Sequence, residues 1–568
     1  MPVAFYFTAG LTGEQLASAI KAVIYQAYEV GISVKVVVAD GHKCNINAAK
    51  ILGVDLSLSS MKPYFQIKET MNTIDRSTRI YWIMDACHML KLTRNCLAQY
   101  KVLCSINEAN EKEIIAWEFI EKLHKLQCSD TLVLANKLSA KHIYYYRAVQ
   151  KVRVAAQTLS NSVAEAIDFL RVEMNLPEFA GSEPTTRFIR TIDKLFDMLN
   201  SRNPFSRGYK SPLRLSNRVY WKTSFDNITR YLLSLRAADG VTSILKTPRF
   251  TPFLGFIVDI QSISLLADEL LEDRQFKYFL TYRTSQDHLE LLFVKIRQRG
   301  GWNNNPTTVQ FCSALKTILM SKFVRPSKNG NVDVEYDQTQ EECSLDFRSS
   351  KRSCQIVNDI DVGEDEDVRA AESLLSSQLM RIYSSSVCDW KDNVLYYCAG
   401  FVAQRIEKRV ACMMCTSTLF HQVGDPSPEQ FGFSKFLIHR QRGGLRVPSL
   451  GVYLIIQAAE KAFRSLVPFS PDALQLPQMK NIDKKIEHVV LNTVPRSTAF
   501  PLLYLEHFCD HEFAIESDHV IKLMRCITAC FIKIRLFKFG KIYFERRIFN
   551  AKESSRQQST KLVLFRGQ

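Results

Sequence analysis

The sequence predicts a mixed α/β chain, on three observations. Strand-length apolar runs alternate with amphipathic helical stretches over residues 1–96. Two of those runs, Ile32–Ala39 and Arg79–Met84, end directly in an acid, Asp40 and Asp85. Beyond them the apolar spacing becomes mostly helical. In α/β architecture ligands and chemistry gather at the carboxyl ends of strands, so these two aspartates are the first candidates for function.

In chain order, Val3–Thr8 reads as a short apolar strand. Thr12-Gly13-Glu14 opens a helix whose apolar stripe is Leu16, Ile20, Val23, Ile24 and Ala27, and Gly31 ends it. Ile32–Ala39 is almost continuously apolar, the pattern of a strand buried on both faces. From Leu97 to Phe250 the pattern turns helical and basic, with amphipathic stretches at Leu132–Ala155 and Ser160–Glu173. Helical spacing continues through Thr251–Tyr282. Thr284 then caps a helix with Asp287 three residues on. Leu289, Leu292, Phe293 and Ile296 line one face, and Gly300-Gly301 stops it. Ser327–Val368, with its acidic run Asp359 to Asp367, is a flexible linker. Residues from Arg369 to Gln568 are apolar enough to fold again and finish in a basic segment; no internal repeat is visible.

Composition narrows the class. Of 568 residues, 46% are hydrophobic and 23% charged, as in an ordinary folded protein. The formal net charge of +16 suits a polyanionic partner such as nucleic acid. The start, Met1-Pro2-Val3-Ala4-Phe5-Tyr6-Phe7, lacks the features of a signal peptide. The apolar run around Ile527–Leu536 is cut by Lys533 and Arg535, so no stretch reads as a membrane span. A soluble, intracellular chain is expected, with its fifteen scattered cysteines reduced.

Taken singly, the acids are ambiguous. Asp40 before Gly41 is an ordinary turn residue, and His88 and Arg94 after Asp85 are ordinary helix polar residues. Asp287 and Glu290 share a helix face at i, i+3, which solvent alone would explain.

Together they resemble a family. Ser285-Gln286-Asp287-His288-Leu289-Glu290-Leu291-Leu292-Phe293, followed by Ile296-Arg297 and Gly300-Gly301-Trp302-Asn303-Asn304-Asn305-Pro306, resembles the signature of P-element transposases and their THAP-domain relatives. Val38-Ala39-Asp40-Gly41 with Asn45, and Asp85 with His88, Leu90, Lys91, Arg94 and Asn95, match that family's earlier motifs in order. The likeness covers roughly residues 1–310 and, more loosely, 385–540. It implies an RNase H-like core interrupted by a mostly helical GTP-binding insertion, plus a helical C-terminal region. The expected domains are 1–96 and 251–326 for the two parts of the core, 97–250 for the insertion, 327–368 for the linker and 369–568 for the C-terminal region.

The resemblance also implies chemistry: Mg²⁺-dependent DNA cleavage and strand transfer at transposon ends, with three carboxylates holding two metal ions. Asp40 corresponds to the second catalytic aspartate and Glu290 to the third acid, these two as metal ligands. Asp287 is the nearby acid of the same motif, with Asp85 and His88 in support. The family's first aspartate, in an Asp-Glu-Met segment on an earlier strand, has no counterpart in these residues. A catalytically incomplete transposase is therefore expected. The alternatives are a domesticated, non-catalytic DNA- or protein-binding protein on the same scaffold, or a guanine-nucleotide-binding regulatory module.

GTP is a bound cofactor in the resembling family, and no Walker-type phosphate loop is present. The guanine-contacting Phe-Asp-x-x-Asn segment is matched by Phe196-Asp197-Met198-Leu199-Asn200. Lys137, Arg153 and Val154 match further contacts, and the family's site also borrows from the Asp287 region. Read without the family, Phe196 is a core residue of an amphipathic helix and Asp197 its solvated neighbour. DNA partners, possible self-association and nuclear residence follow from the resemblance alone.

Cys412-Met413-Met414-Cys415 is a lone Cys-x-x-Cys. The candidates for further zinc ligands are His421, His439 and Cys398, and a packed cysteine pair is the favoured reading. His439-Arg440-Gln441-Arg442-Gly443-Gly444-Leu445 and the basic end from Lys533 read equally as phosphate contacts or surface.

Overall fold

The computed structural model describes residues 4–8, 10–68, 77–273, 276–301, 303, 305–320, 389–422, 427–467, 481–505 and 519–550. The chain forms two compact units. The first is Met1–Glu121, Lys141–Ala164 and Gly181–Asp346; the second is Lys122–Ala140, Glu165–Ala180 and Phe347–Gln568. The architecture is mixed α/β, largely helical with two small sheets.

The elements begin α1 (Gly13–Glu29), β1 (Val36–Ala39), α2 (Lys43–Leu52), β2 (Tyr64–Lys68), β3 (Ser77–Met84), α3 (Ala86–Tyr100), β4 (Val102–Ile106) and β5 (Lys112–Ala116). The chain crosses between units within α4 (Glu118–Asp130), α5 (Ala140–Ile143) and α7 (Asn161–Asp168), with α6 (Val152–Thr158) between the last two. The first unit continues with α8 (Glu183–Leu199), α9 (Arg218–Ser234), β6 (Leu235–Arg236), α10 (Thr251–Asp268), α11 (Asp287–Arg299) and α12 (Thr308–Met320).

Helix α1 starts where Thr12 predicts: the Thr12 hydroxyl accepts from the Gln15 N–H, and the Gln15 side chain accepts from the Thr12 N–H. Ile24 and Ala27 are buried and Leu16, Ile20 and Val23 half-buried, so the stripe is real, and the helix packs on α2. The expected opening strand is absent: residues 4–8 are irregular, and Val3 lies outside the described residues. Phe5 and Phe7 rest their rings on Phe311, each at 5.5 Å, and among the described residues no ladder partner meets this backbone.

The first sheet has the order β1-β3-β2. Strand β1 runs parallel to β3, with Val36 opposite Tyr81 and Ala39 opposite Met84; β2, which the apolar pattern did not reveal, runs antiparallel to β3. Only Val36–Ala39 of the expected Ile32–Ala39 run is strand, and Val36–Val38 are half-buried rather than buried on both faces. The reason is position: among the described residues β1 is an edge strand, and β3 is the central one. Residues 80–84 of β3 are at most 1% exposed.

Helix α10 covers β3 and α3 at short range. A Cβ on Gly255 would lie 2.3 Å from the Met89 sulfur, so any side chain there would have to displace Met89. Asp259 Oδ1 accepts from the Met84 N–H at 2.7 Å, and the Ser262 hydroxyl donates to the Trp82 carbonyl at 2.6 Å.

The stretch from Leu97 to Phe250 is less helical than expected. Strands β4 and β5 form an antiparallel hairpin through a turn at Asn107–Glu111, with Asn110 at φ +61°, and β6 adds to β4. Leu132–Ala155 is not one amphipathic helix. Leu132, Leu134, Ala135 and Leu138 are buried from irregular chain whose backbone finds side-chain partners, as the Ala135 N–H does in Gln127 Oε1 at 2.8 Å. Ser160–Glu173 is α7 followed by a wider π turn over Phe169–Glu173.

Helix α11 begins at Asp287 with Gln286 as its N-cap, not Thr284. The Thr284 hydroxyl is committed to the Thr281 carbonyl at 2.6 Å, inside a preceding 3-10 turn. Of the expected apolar face, Ile296 and Leu292 meet Leu315 and Ile318 of α12, whereas Leu289 and Phe293 are 47% and 40% exposed. Gly300 and Gly301, the latter at φ +66°, end the helix as expected.

The second unit is helical. It comprises α13 (Trp390–Glu407), α14 (Met413–Ser417), α15 (Lys435–Arg440), α16 (Leu450–Leu466), α17 (Ile482–Thr493), α18 (Arg496–Ala499), α19 (Pro501–Leu505) and α20 (His519–Asn550). Helices α13, α16, α17 and α20 pack on one another. At their centre Arg535 and Glu460 form a buried ion pair at 2.6 Å, and Arg535 also donates to Thr131 Oγ1 at 2.6 Å. The expected linker 327–368 lies outside the described residues. Among the described residues no helix is long and apolar enough to cross a membrane.

Candidate active site

Asp40 stands at the carboxyl end of β1, half-buried. Its Oδ1 accepts from the His42 N–H at 2.9 Å and from Asn45 Nδ2 at 2.6 Å, which ties the turn to the start of α2. A Cβ on Gly41 would sit 2.4 Å from Thr251 Cγ2, so the Asp-Gly turn is pressed against the first residue of α10.

Asp85 stands one strand over. The parallel β1–β3 pairing sets this neighbourhood, and the Asp85 N–H continues it by donating to the Ala39 carbonyl at 2.9 Å. Its carboxylate caps α3 by accepting from the His88 N–H at 3.0 Å, and also accepts from the Gln286 N–H at 3.3 Å. At 2% exposed, Asp85 has its pKa pushed up to about 6, first by burial and then by Asp287, against the two backbone donors. His88 is half-buried, and burial followed by Lys91 holds its pKa below the usual value, with Asp40 opposing.

The start of α11 docks here. Gln286 Nε2 reaches the Val38 carbonyl at 3.4 Å, a long contact. Asp287 is 6% exposed; its Oδ2 accepts from Arg202 Nη2 at 2.7 Å, and Cys87 Sγ lies 3.5 Å from its Oδ1. Burial, then Asp85 and Asp287, push the Cys87 thiol well above the usual range. Glu290, one turn on, is half-buried with Oε1 4.0 Å from Lys91 Nζ.

The structure thus brings Asp85, Gln286, Asp287, Cys87 and Arg202 into direct contact. Asp40 is linked to this group through Val38 and His88, and Glu290 through Lys91. Among the described residues their carboxylates and that of Asp287 do not form a three-donor cluster within 4.8 Å. A hard divalent cation takes carboxylate oxygens and keeps water, and the half-exposed carboxylates of Asp40 and Glu290 fit that requirement. Asp287 does not: one oxygen is paired to a guanidinium and the other lies against a thiol.

Two participants escaped the sequence reading. Asp259 is wholly buried, and burial holds its carboxyl well above the usual range, with Asp85 adding to the effect. A visible signal existed, a single acid in the apolar run from Phe253 to Leu266. Arg202 carried no signal, since its role depends on a partner 85 positions away.

The nucleotide candidates lie on α8 and α6. Leu195, Met198 and Leu199 fill the core from α8, which leaves Phe196 and Asp197 half-buried at its edge. Asp197 Oδ1 is 3.8 Å from Lys210 Nζ; burial raises its pKa and Lys210 opposes. Asn200 caps α8, and its Oδ1 accepts from Arg202 Nε at 3.3 Å. Asn200, Arg202 and Asp287 therefore form one hydrogen-bonded chain. On α6, which packs on α3, Arg153 is exposed and Val154 buried. Lys137 is exposed and belongs to the second unit.

The basic segments of the second unit are partly structural. Arg440 and Arg442 both pair with Glu165, and Arg535 with Glu460.

Comparison with known proteins matches four family models along the chain. They are the TNP-like RNase H N-terminal domain over residues 1–53 and the TNP-like GTP-binding insertion domain over 87–212. The TNP-like RNase H C-terminal domain follows over 282–316, and the C-terminal domain of DNA transposase THAP9 over 386–541. The chain is 26% identical to human DNA transposase THAP9 over 94% of its own length and 57% of that protein. It is 27% identical to the Drosophila melanogaster transposable element P transposase over 53% of its length and 37% of that protein. It therefore spans roughly half the length of these curated relatives, or less. A solved chain of the Drosophila P element transposase strand transfer complex is 24% identical, with a TM-score of 0.45, over 55% of this chain and 64% of that one. With both TNP-like RNase H parts, the GTP-binding insertion between them and the THAP9-type C-terminal domain matched in order, the chain carries the domain series of P-element-type DNA transposases and is similar to them.

Proposed function

We propose that this chain is a DNA-handling transposase scaffold of the P-element type, with GTP bound by the insertion and Mg²⁺ by Asp40 and Glu290. One observation carries the reading: Gln286 donates to Asp85 and to the Val38 carbonyl, which seats the helix of Glu290 against the strand of Asp40, 250 positions away in sequence. Metal ions bound at such a site supply Lewis acidity, activating the attacking oxygen and stabilising the leaving one. The chain's own residues do the positioning. Asn45 and the His42 N–H hold Oδ1 of Asp40. Lys91 holds Glu290, and the buried Asp85–Asp287–Arg202 group fixes the start of α11.

For the 568-residue chain taken alone the reading is binding without turnover. Two-metal chemistry asks for a third carboxylate, and the engagement of Asp287 by Arg202 and Cys87 supports a positioning role for it instead. The net charge of +16 and the transposase relatives support DNA as the partner, and with it residence in the nucleus and assembly into oligomers on transposon ends. The test is DNA retention, together with nicking and joining assays in Mg²⁺ or Mn²⁺. Salt-dependent binding without cleavage is expected; robust cleavage that Glu290→Gln abolishes would contradict binding without turnover.

A further inference from the structure

We propose that Cys412, Cys415 and His519 form a structural zinc site in the second unit. Their ligand atoms all lie within 4.8 Å of one another, the one such His, Cys, Asp or Glu cluster among the described residues. The Cys-x-x-Cys wraps the start of α14: Cys412 is its N-cap, the Cys412 carbonyl accepts from the Thr416 N–H, and Cys415 lies one turn on. Both cysteines are buried, at 8% and 3% exposed. His519, the first residue of α20, arrives from 104 positions away and sets Nδ1 3.5 Å from Cys415 Sγ.

That distance fits a shared metal ion as well as a thiol–imidazole hydrogen bond. With Zn–S of about 2.3 Å and Zn–N of about 2.0–2.1 Å, a tetrahedral ion spaces its sulfur and nitrogen ligands about 3.5 Å apart. The cysteine spacing alone favours a packed pair, and His421, His439 and Cys398 are nearer in sequence; the imidazole is the donor that no local motif announces. Binding exchanges the two thiol protons for the metal and releases them to solvent, giving a neutral Zn(Cys⁻)₂His centre whose fourth position is open to water. The site pins the α14 turn to the start of α20, beside the buried Val520, Leu523 and Met524. It takes a borderline-soft cation rather than Mg²⁺, so it is chemically separate from Asp40 and Glu290.

The test uses the full chain, purified without chelator under reducing conditions. Elemental analysis should find one zinc per chain, lost from Cys412→Ser, Cys415→Ser and His519→Asn but kept by Cys312→Ser in the first unit. Substitution of cobalt into the unaltered chain guards against variants that fail to fold. It should give thiolate-to-cobalt charge transfer and the intense visible bands of a tetrahedral ion, and X-ray absorption should count two sulfur and two lighter ligands. Absence of zinc and of the cobalt spectrum, full zinc in a folded His519→Asn protein, or a Cys412–Cys415 disulfide in the reduced preparation would overturn the assignment.

Discussion

Arg202 Nη2 lies 2.7 Å from Asp287 Oδ2 and so joins the chain just beyond α8 to the first residue of α11. Arg202 also donates to Asn200, one of the nucleotide candidates, and Asp287 lies three residues before Glu290. A guanidinium is suited to this role because its fixed fork keeps full charge while holding two partners. Removing it leaves a carboxylate that is 6% exposed without its counter-charge.

Arg202→Ala should therefore destabilise the first unit by about 3 kcal/mol, the cost of leaving a buried charge unpaired. Asp287→Asn should relieve most of that loss, since a neutral amide needs no counter-charge. Denaturant unfolding of the two single variants and the double variant measures the coupling. A coupling near zero would show that the pair does not hold α11.

Asp85 gives the fold a pH dependence of defined sign. Its pKa is raised to about 6 in the folded chain from 3.8, so between these values the folded state binds more protons than the unfolded state. Stability from this group is intact below pH 3.8 and falls as pH rises through 6, by roughly 3 kcal/mol. Asp85→Asn retains an N-cap acceptor for α3 and should flatten that fall. Parallel unfolding curves for the two proteins from pH 4 to 7 check it, and equal slopes would refute it.

How much of this was legible in the sequence varies by residue. Asp40, Asp85 and the helix of Glu290 were readable because each follows a local pattern: an apolar run ending in an acid, or helical spacing ended by Gly-Gly. Strands β2, β4 and β5 were not, because runs of five residues are too short for pattern alone to separate strand from helix. The cap of α11 was misassigned to Thr284 because its hydroxyl has a competing acceptor one turn back. Arg202 and His519 acquire meaning only from partners 85 and 104 residues distant.

For the nucleotide, GTP should bind in preference to ATP. Guanine offers N1–H and N2–H donors to Asp197, and adenine offers neither, which leaves the carboxylate unpaired at a cost of about 1–3 kcal/mol, or roughly ten- to a hundredfold. Phe196→Ala should weaken both nucleotides without changing the preference, since stacking is blind to the base edge. Asp197→Asn should erode the preference for guanine and favour xanthine, whose carbonyl replaces the amine. Lys210, 3.8 Å from Asp197, competes for the same carboxylate, so Lys210→Ala should tighten GTP. Calorimetric titration of the full chain with GTP, ATP and XTP decides it; equal affinity for GTP and ATP, or none for either, would remove the assignment.

The most direct test of a metal site shared by Asp40 and Glu290 replaces Mg²⁺ with Fe²⁺ and lets ascorbate-driven radicals cut the backbone beside the bound ion. The account predicts two clusters of cuts, one around Asp40 and one around Glu290, both suppressed by excess Mg²⁺ and both lost together in Asp40→Asn or Glu290→Gln. Cuts at only one of the two positions, or cuts that survive both substitutions, would contradict it.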